Sequence, residues 1–173
     1  GGATQLGAVR GDAGLTTSGG NIDAEQVDGK LRAETAGGSI RVRRVAQSVI
    51  AETAGRSIHL GQIGGSVTAE TAGGSITVEA ASGGVRAENA NGSIKLIDVS
   101  GPVRAATAAG NILAQLMAKG TIGESVLETS MGNIVVMIPD SLRLTIRADI
   151  EVASNVNRIQ CDFPGVQVRL EDQ

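Results

Sequence analysis

The chain has 173 residues and a net charge of −3, which suits one domain or a short repeat array and disfavours a surface that binds nucleic acid. Aromatic residues make up 1% of the chain, so the stacking platforms that hold single-stranded nucleic acid are missing. No apolar run is long enough to span a membrane. We therefore expect neither a nucleic-acid partner nor a transmembrane segment. The chain begins with Gly-Gly rather than Met, and we interpret it as a piece of a longer protein.

An octapeptide returns every 18 residues, as AETAGGSI at 33–40, AETAGRSI at 51–58, AETAGGSI at 69–76 and AENANGSI at 87–94. Its final Ile defines position 0 of each unit, and this residue recurs without a slip at Ile22, Ile40, Ile58, Ile76, Ile94 and Ile112. Apolar residues also recur at positions 2, 5, 9 and 11, and Thr or Asn recurs at position 13. Self-similarity at a fixed period indicates a repeat architecture.

Positions 0 and 2, and again 9 and 11, alternate in the manner of a strand with one buried face, and Gly-rich corners separate the two pairs. A single unit cannot bury its apolar residues, so successive units must stack and pair their backbones. The sequence therefore predicts an all-β fold, a parallel β-helix (β-solenoid) with 18-residue coils and a flattened or three-sided core. The crossover rule predicts right-handed coils, and the length of the pattern predicts about eight rungs.

The pattern extends towards both ends of the chain. An earlier, partial coil is indicated by Leu6, Val9, Ala13, Leu15 and Thr17. Four residues are inserted before Ile134 and seven before Ile159, after which Ile150, Val152, Ser154, Ile159, Cys161, Val168 and Leu170 match inward columns. We expect one β-solenoid domain over 1–173, regular over about 4–116 and irregular over about 117–173, with a buried, unreactive Cys161 thiol.

The repeat resembles a family of bacterial adhesin-like β-strand-repeat domains of unknown function. The similarity lies in the unit T-A-G-G-S-I-x-V-x-x-V-x-G-x-V-x-A-E and in IPDSLRLTIRADIEVASNVNRIQCDFPG at 138–165, and it covers nearly the whole chain. The sequence has SNVNRI where the family has Ser-Ser-Gly-Asp-Ile. The resemblance implies a β-solenoid of the cell envelope or cell surface, and it implies no catalytic residues.

Four carboxylates share position 12, which points outward because position 11 points inward: Glu34, Glu52, Glu70 and Glu88. Neighbours one rung apart repel by about 1 kcal/mol per pair in water. Arg32, Arg86 and Arg104 lie two residues before this column and can compensate the negative charge of the outer rungs. Ile50 and Thr68 hold the same place before Glu52 and Glu70, whose charges are therefore less well compensated. The column is either a weak site for a cation or cationic ligand, or a solvated face that keeps the repeat soluble.

Arg41, Arg43 and Arg44 form a basic patch near His59. This patch is either a contact for a polyanionic glycan or another solvated face. His59 has no second His or Cys at ligand spacing, and no Ser or Cys forms a triad with it. We therefore expect no catalytic residues, no metal site, no cofactor and no enzymatic activity. The Thr column at position 13 is interpreted as a set of hydroxyls that satisfy turn backbone groups.

Two functions from different classes follow from these patterns. The first is a non-catalytic, adhesin-like interaction or display module of the cell envelope or the extracellular space, with an unknown protein or glycan partner. The second is a self-assembling, end-to-end scaffold of bactofilin-like type, because the open ends of a solenoid expose unpaired backbone groups.

Overall fold

The computed structural model describes residues 2–117 and 123–139. Over these residues the chain forms strands and no helix. The strands are β1 (Thr4–Val9), β2 (Ala13–Thr17), β3 (Ile22–Val27), β4 (Leu31–Thr35), β5 (Ile40–Val45), β6 (Val49–Thr53), β7 (Ile58–Ile63), β8 (Val67–Thr71), β9 (Ile76–Ala81), β10 (Val85–Asn91), β11 (Ile94–Val99), β12 (Val103–Ala109), β13 (Ile112–Leu116), β14 (Val126–Met131) and β15 (Ile134–Met137). None of the described segments is a helix able to cross a membrane.

The strands form two parallel sheets. The odd-numbered strands make an 8-stranded sheet, here called sheet A, and the even-numbered strands make a 7-stranded sheet, sheet B. Each coil gives one strand to each sheet, so that β1 and β2 form coil 1, β3 and β4 form coil 2, and so on. The pairing of Ile22 with Ile40, and of Ile40 with Ile58, shows the 18-residue step directly. The predicted parallel β-solenoid with 18-residue coils is confirmed, with seven pairs of strands followed by β15.

The interior is filled by the predicted inward columns. The six isoleucines at position 0, from Ile22 to Ile112, are at most 1% exposed, and the Ala column from Ala33 to Ala105 is fully buried. Every residue of this column is alanine, the smallest apolar side chain. The apolar core therefore continues from coil to coil without a gap.

Sheet A strands bend in the middle. In β5, Ile40, Val42 and Val45 are buried, whereas Arg43 and Arg44 are both exposed. Two consecutive outward residues break the alternation of an ordinary strand. The bend lies at positions 3 and 4, and it recurs in β3 of the preceding coil. Each bend therefore presents two neighbouring side chains to solvent from one coil.

The Thr column forms hydrogen bonds with backbone groups at the corners, as predicted. Thr35 Oγ1 donates to the carbonyl of Gly20 at 2.9 Å, and the amide of Gly38 donates back to that hydroxyl at 3.2 Å. Thr53 repeats the first bond one coil later, at 2.8 Å to the carbonyl of Gly38. In the fifth coil Asn89 takes this place, with its Nδ2 donating to Gly74 at 2.6 Å. These bonds pair the buried polar group of each coil with a backbone carbonyl of the preceding corner.

The four-residue insertion before Ile134 leaves the pairing register intact, although Ile134 itself is 41% exposed. Ile112 pairs with Ile134 and Ala114 with Val136, so β15 returns to the predicted columns. The predicted columns from Ile150 to Leu170, including Cys161, lie outside the described residues.

Candidate functional site

A shallow polar groove of about 390 Å³ crosses the outer face of sheet A at the bends of coils 1 to 5. We call it the polar groove, and it is lined by Ala8, Glu25, Gln26, Arg43, Arg44, Gln62 and Glu79. Ala8 supplies its only apolar side chain, and both charge signs are present. The groove is therefore a surface for polar, hydroxyl-rich or charged ligands.

The bends of sheet A place these side chains. Position 4 forms a ladder in which Gln26 pairs with Arg44 and Arg44 with Gln62 across successive coils. Position 3 carries Glu25, Arg43 and Glu79 in coils 2, 3 and 5. Since strands in a sheet lie about 4.8 Å apart, Glu25 and Glu79 are separated by three such steps, or about 14 Å. The groove thus runs across the strands, along the stacking direction.

Gly61 occupies position 3 in coil 4, between Arg43 and Glu79. A Cβ there would lie 2.3 Å from the carbonyl oxygen of Arg43, so only glycine fits without a backbone shift. The Arg43 backbone therefore occupies the place that a side chain would take at this coil. As a result, position 3 carries side chains at Arg43 and Glu79 but none between them.

The charged residues around the groove differ in their partners. Arg41 lies 3.6 Å from Asp23, and His59 Nε2 lies 3.1 Å from Glu79 Oε1. Within the described residues, Arg43 and Arg44 form no salt bridge. The structure therefore brings two of the three predicted basic residues together in the groove, while Arg41 stands beside it in an ion pair.

Sequence reasoning missed the other groove residues, Glu25, Gln26, Gln62 and Glu79. The sequence does contain a sign of the bend, because positions 3 and 4 are both polar between the apolar positions 2 and 5 in coils 2 and 3. A strand with strict alternation would have buried one of the two positions. The bend had to be recognised before these residues could be placed on one surface.

The predicted carboxylate column forms a ladder on sheet B, on residues Glu34, Glu52, Glu70 and Glu88. Each pairs in register with the next. Arg32 forms an ion pair with Glu34 and also reaches Glu52 of the next coil at 3.5 Å, and Arg86 forms an ion pair with Glu88. Glu52, expected to be less well compensated than the outer rungs, thus has an arginine partner, because the side chain of Arg32 spans one coil step. In the part of the chain that the structure describes, Glu70 has no ion pair.

Neither sheet face assembles a recognisable metal centre. Within residues 2–117 and 123–139, no group of three or more His, Cys, Asp or Glu side chains is placed to hold a metal ion. Over the same residues, every buried side-chain nitrogen or oxygen has a hydrogen-bond partner. The polar chemistry of the described coils therefore lies on the outer surface.

Comparison with known proteins gives no relative. No family model, curated protein or solved structure matches the chain. The resemblance to adhesin-like repeats drawn from the repeat unit stays a prediction, and the proposals below are argued from the geometry of the surface.

Proposed function

We propose that the chain is a non-catalytic interaction module, an adhesin-like β-solenoid of the cell envelope or cell surface that displays its outer faces to a glycan or protein partner. The observation that carries this proposal is the polar groove on sheet A. Two guanidinium groups without a salt bridge in the described coils stand there beside two carboxylates and two amides.

The backbone under the groove supports a binding role. The groove residues are carried by β3, β5, β7 and β9, which are paired with their neighbours and anchored by fully buried side chains such as Val42 and Leu60. Groups held on a rigid sheet lose less conformational entropy on binding than groups on a loop. A surface of this kind binds through fixed spacing rather than through closure around the ligand.

A second candidate is an end-to-end scaffold, in which coil 1 would be one of the contact surfaces. Leu6, Val9, Ala13 and Leu15 occupy inward columns, yet they are only partly buried, whereas the same columns are sealed in coil 2. β1 pairs only with β3, and β2 only with β4, among the described strands. A second copy stacked on this coil would cover the apolar residues and pair the open strand edges.

Light scattering coupled to size exclusion, over a hundredfold range of concentration, separates the two candidates. We expect a constant monomer mass, which favours the interaction module. A mass that climbs with concentration, together with filaments in electron micrographs, would favour the scaffold instead.

Two variants make that measurement specific. Leu15→Lys places a charge on the partly buried inward column of β2, where a stacked copy would bury it without a partner and assembly would fail. Thr16→Lys adds the same charge to the exposed outer face of the same strand and is the matched control. Loss of assembly in the first variant alone would place the contact at coil 1.

The interaction module itself is tested on an array of purified acidic and neutral glycans, with heat-unfolded chain as the control. Binding of the folded chain to at least one class supports the proposed function. Absence of binding together with a rising mass would replace it with the scaffold.

A further inference from the structure

The charges in the polar groove alternate along the stacking direction. Glu25 lies in coil 2, Arg43 and Arg44 in coil 3, and Glu79 in coil 5, while coil 4 supplies Gln62 and, at position 3, Gly61 without a side chain. Two negative and two positive side chains cancel, so the groove has no net charge. A ligand is therefore recognised by where its own charges fall, rather than by its total charge.

Arg43 and Arg44 favour an anionic group such as a carboxylate. A guanidinium presents several N–H donors in a planar fork that matches the two oxygens of a carboxylate, and such charge-assisted hydrogen bonds are stronger than neutral ones. Both side chains are exposed and have no salt bridge in the described coils, so a ligand need not displace an internal partner.

The residues on either side select neutral, hydroxyl-bearing groups. Glu25 lies one coil step, about 4.8 Å, from Arg43, and Glu79 lies two steps, about 10 Å, from it. A second anionic group placed against either carboxylate would be repelled. Carboxylates accept hydrogen bonds from hydroxyls, and the amides of Gln26 and Gln62 can both donate and accept. The ligand must therefore carry an acidic group flanked by neutral polar groups.

Other classes of partner fit this pattern poorly. Nucleic acid places a phosphate at every nucleotide and would meet Glu25 and Glu79, and the groove has no aromatic side chain on which a base could stack. A protein partner gains most of its affinity from apolar or aromatic anchors that fill a pocket. The groove is shallow, and Ala8 is its only apolar side chain.

We infer that the polar groove binds an acidic polysaccharide in which carboxylated sugars alternate with neutral ones. Arg43 and Arg44 hold one carboxylate, while Glu25, Gln26, Gln62 and Glu79 bind hydroxyl and amide groups of the adjoining sugars. This inference rests on the proposed function, because it names the ligand class and the face of the same interaction module.

The test uses a hyaluronan oligosaccharide, in which acidic and neutral sugars alternate, measured by calorimetry at low and at physiological salt. A neutral dextran oligosaccharide and inorganic polyphosphate are the comparison ligands. We expect the wild-type chain to bind hyaluronan more tightly than either. Polyphosphate bound as tightly as hyaluronan would overturn the assignment to alternating sugars, since it would show attraction by charge alone.

Arg43→Gln together with Arg44→Gln removes both guanidiniums and keeps polar side chains. We expect hyaluronan affinity to fall by about tenfold or more, the loss typical of charge-assisted hydrogen bonds. Arg86→Gln with Arg104→Gln is the matched control, because it removes the same charge from exposed positions on sheet B. An equal loss in both double variants would overturn the inference.

Amide chemical shifts locate the binding and separate the two proposals. Shifts confined to the bends of β3, β5, β7 and β9 support the inference. Hyaluronan binding with shifts on sheet B would keep the interaction module but reject the polar groove. If no hyaluronan binds while the array finds another ligand, the inference fails and the proposed function stands.

Discussion

The Ala column tests the packing at the scale of one residue. Ala69 is fully buried and pairs with Ala51 and Ala87 of the adjacent coils. Ala69→Leu adds three carbons inside the buried core, and we expect the free energy of unfolding to fall by about 1–3 kcal/mol. Urea denaturation followed by circular dichroism measures this change.

Ala72→Leu is the matched control for that substitution. Ala72 lies just after the same strand and is exposed, so the added side chain meets solvent rather than the core. We expect its unfolding free energy to stay within about 0.5 kcal/mol of the wild type. Similar losses in both variants would mean that the inward column is not tightly packed.

The positions of single residues, inward or outward, were the most predictable feature of this molecule. The fixed 18-residue step sets which residues stack, and the alternation at positions 0 and 2 sets which of them face inward. The hydrogen-bonding role of Thr35 was also predictable, because a hydroxyl beside a Gly corner has few other partners. Handedness stays a prediction from the general crossover rule.

At the scale of the element, the carboxylate ladder on sheet B is a balance of repulsion and pairing. Glu70 stands between Glu52 and Glu88, each of which has an arginine partner, but has none of its own in the described coils. Glu70→Gln removes repulsion with both neighbours while keeping the shape of the side chain. We expect the unfolding free energy to rise by about 0.5–1 kcal/mol at low salt and by less at high salt.

Glu34→Gln controls for the loss of one charge from the same ladder. Glu34 forms an ion pair with Arg32, so its replacement should leave stability unchanged or slightly lower. Thermal melts with and without calcium add a second readout. If calcium raised the melting temperature of the wild type but not of Glu70→Gln, the ladder would be a cation site rather than a solvated, repulsive face.

The bend of the sheet A strands was not predicted from the sequence. The apolar residues at positions 0, 2 and 5 were recognised, but the backbone change between positions 2 and 5 depends on packing against the neighbouring coil. Without it, Arg43 and Arg44 read as a basic patch rather than as part of a mixed groove with Glu25 and Glu79. The ion pair between Arg32 and Glu52 was missed for a similar reason. The two residues are 20 positions apart in the sequence, and they meet only because adjacent coils stack and the arginine side chain is long enough to reach the next coil.

At the scale of the whole molecule, stability is built coil by coil. Almost all contacts in the described part join strands of adjacent coils or the two strands of one coil, as expected for a solenoid. In a coil with neighbours on both sides, such as coil 4, the inward side chains are buried, whereas the inward residues of coil 1 are partly exposed. Local opening should therefore cost less free energy at coil 1 than at coil 4.

Hydrogen exchange measures this gradient directly. Leu6 and Leu60 are the same residue type at position 2, and each pairs with the following coil, with Ala24 and Val78 respectively. We expect the amide of Leu6 to exchange faster than that of Leu60, because opening coil 1 exposes little new apolar surface while opening coil 4 breaks contacts on both sides. A hydrophobic cap supplied by a second copy would slow exchange at Leu6 as concentration rises. Equal protection at both amides in the dilute monomer would instead mean that all described coils open together, and the independent-coil account of stability would fail.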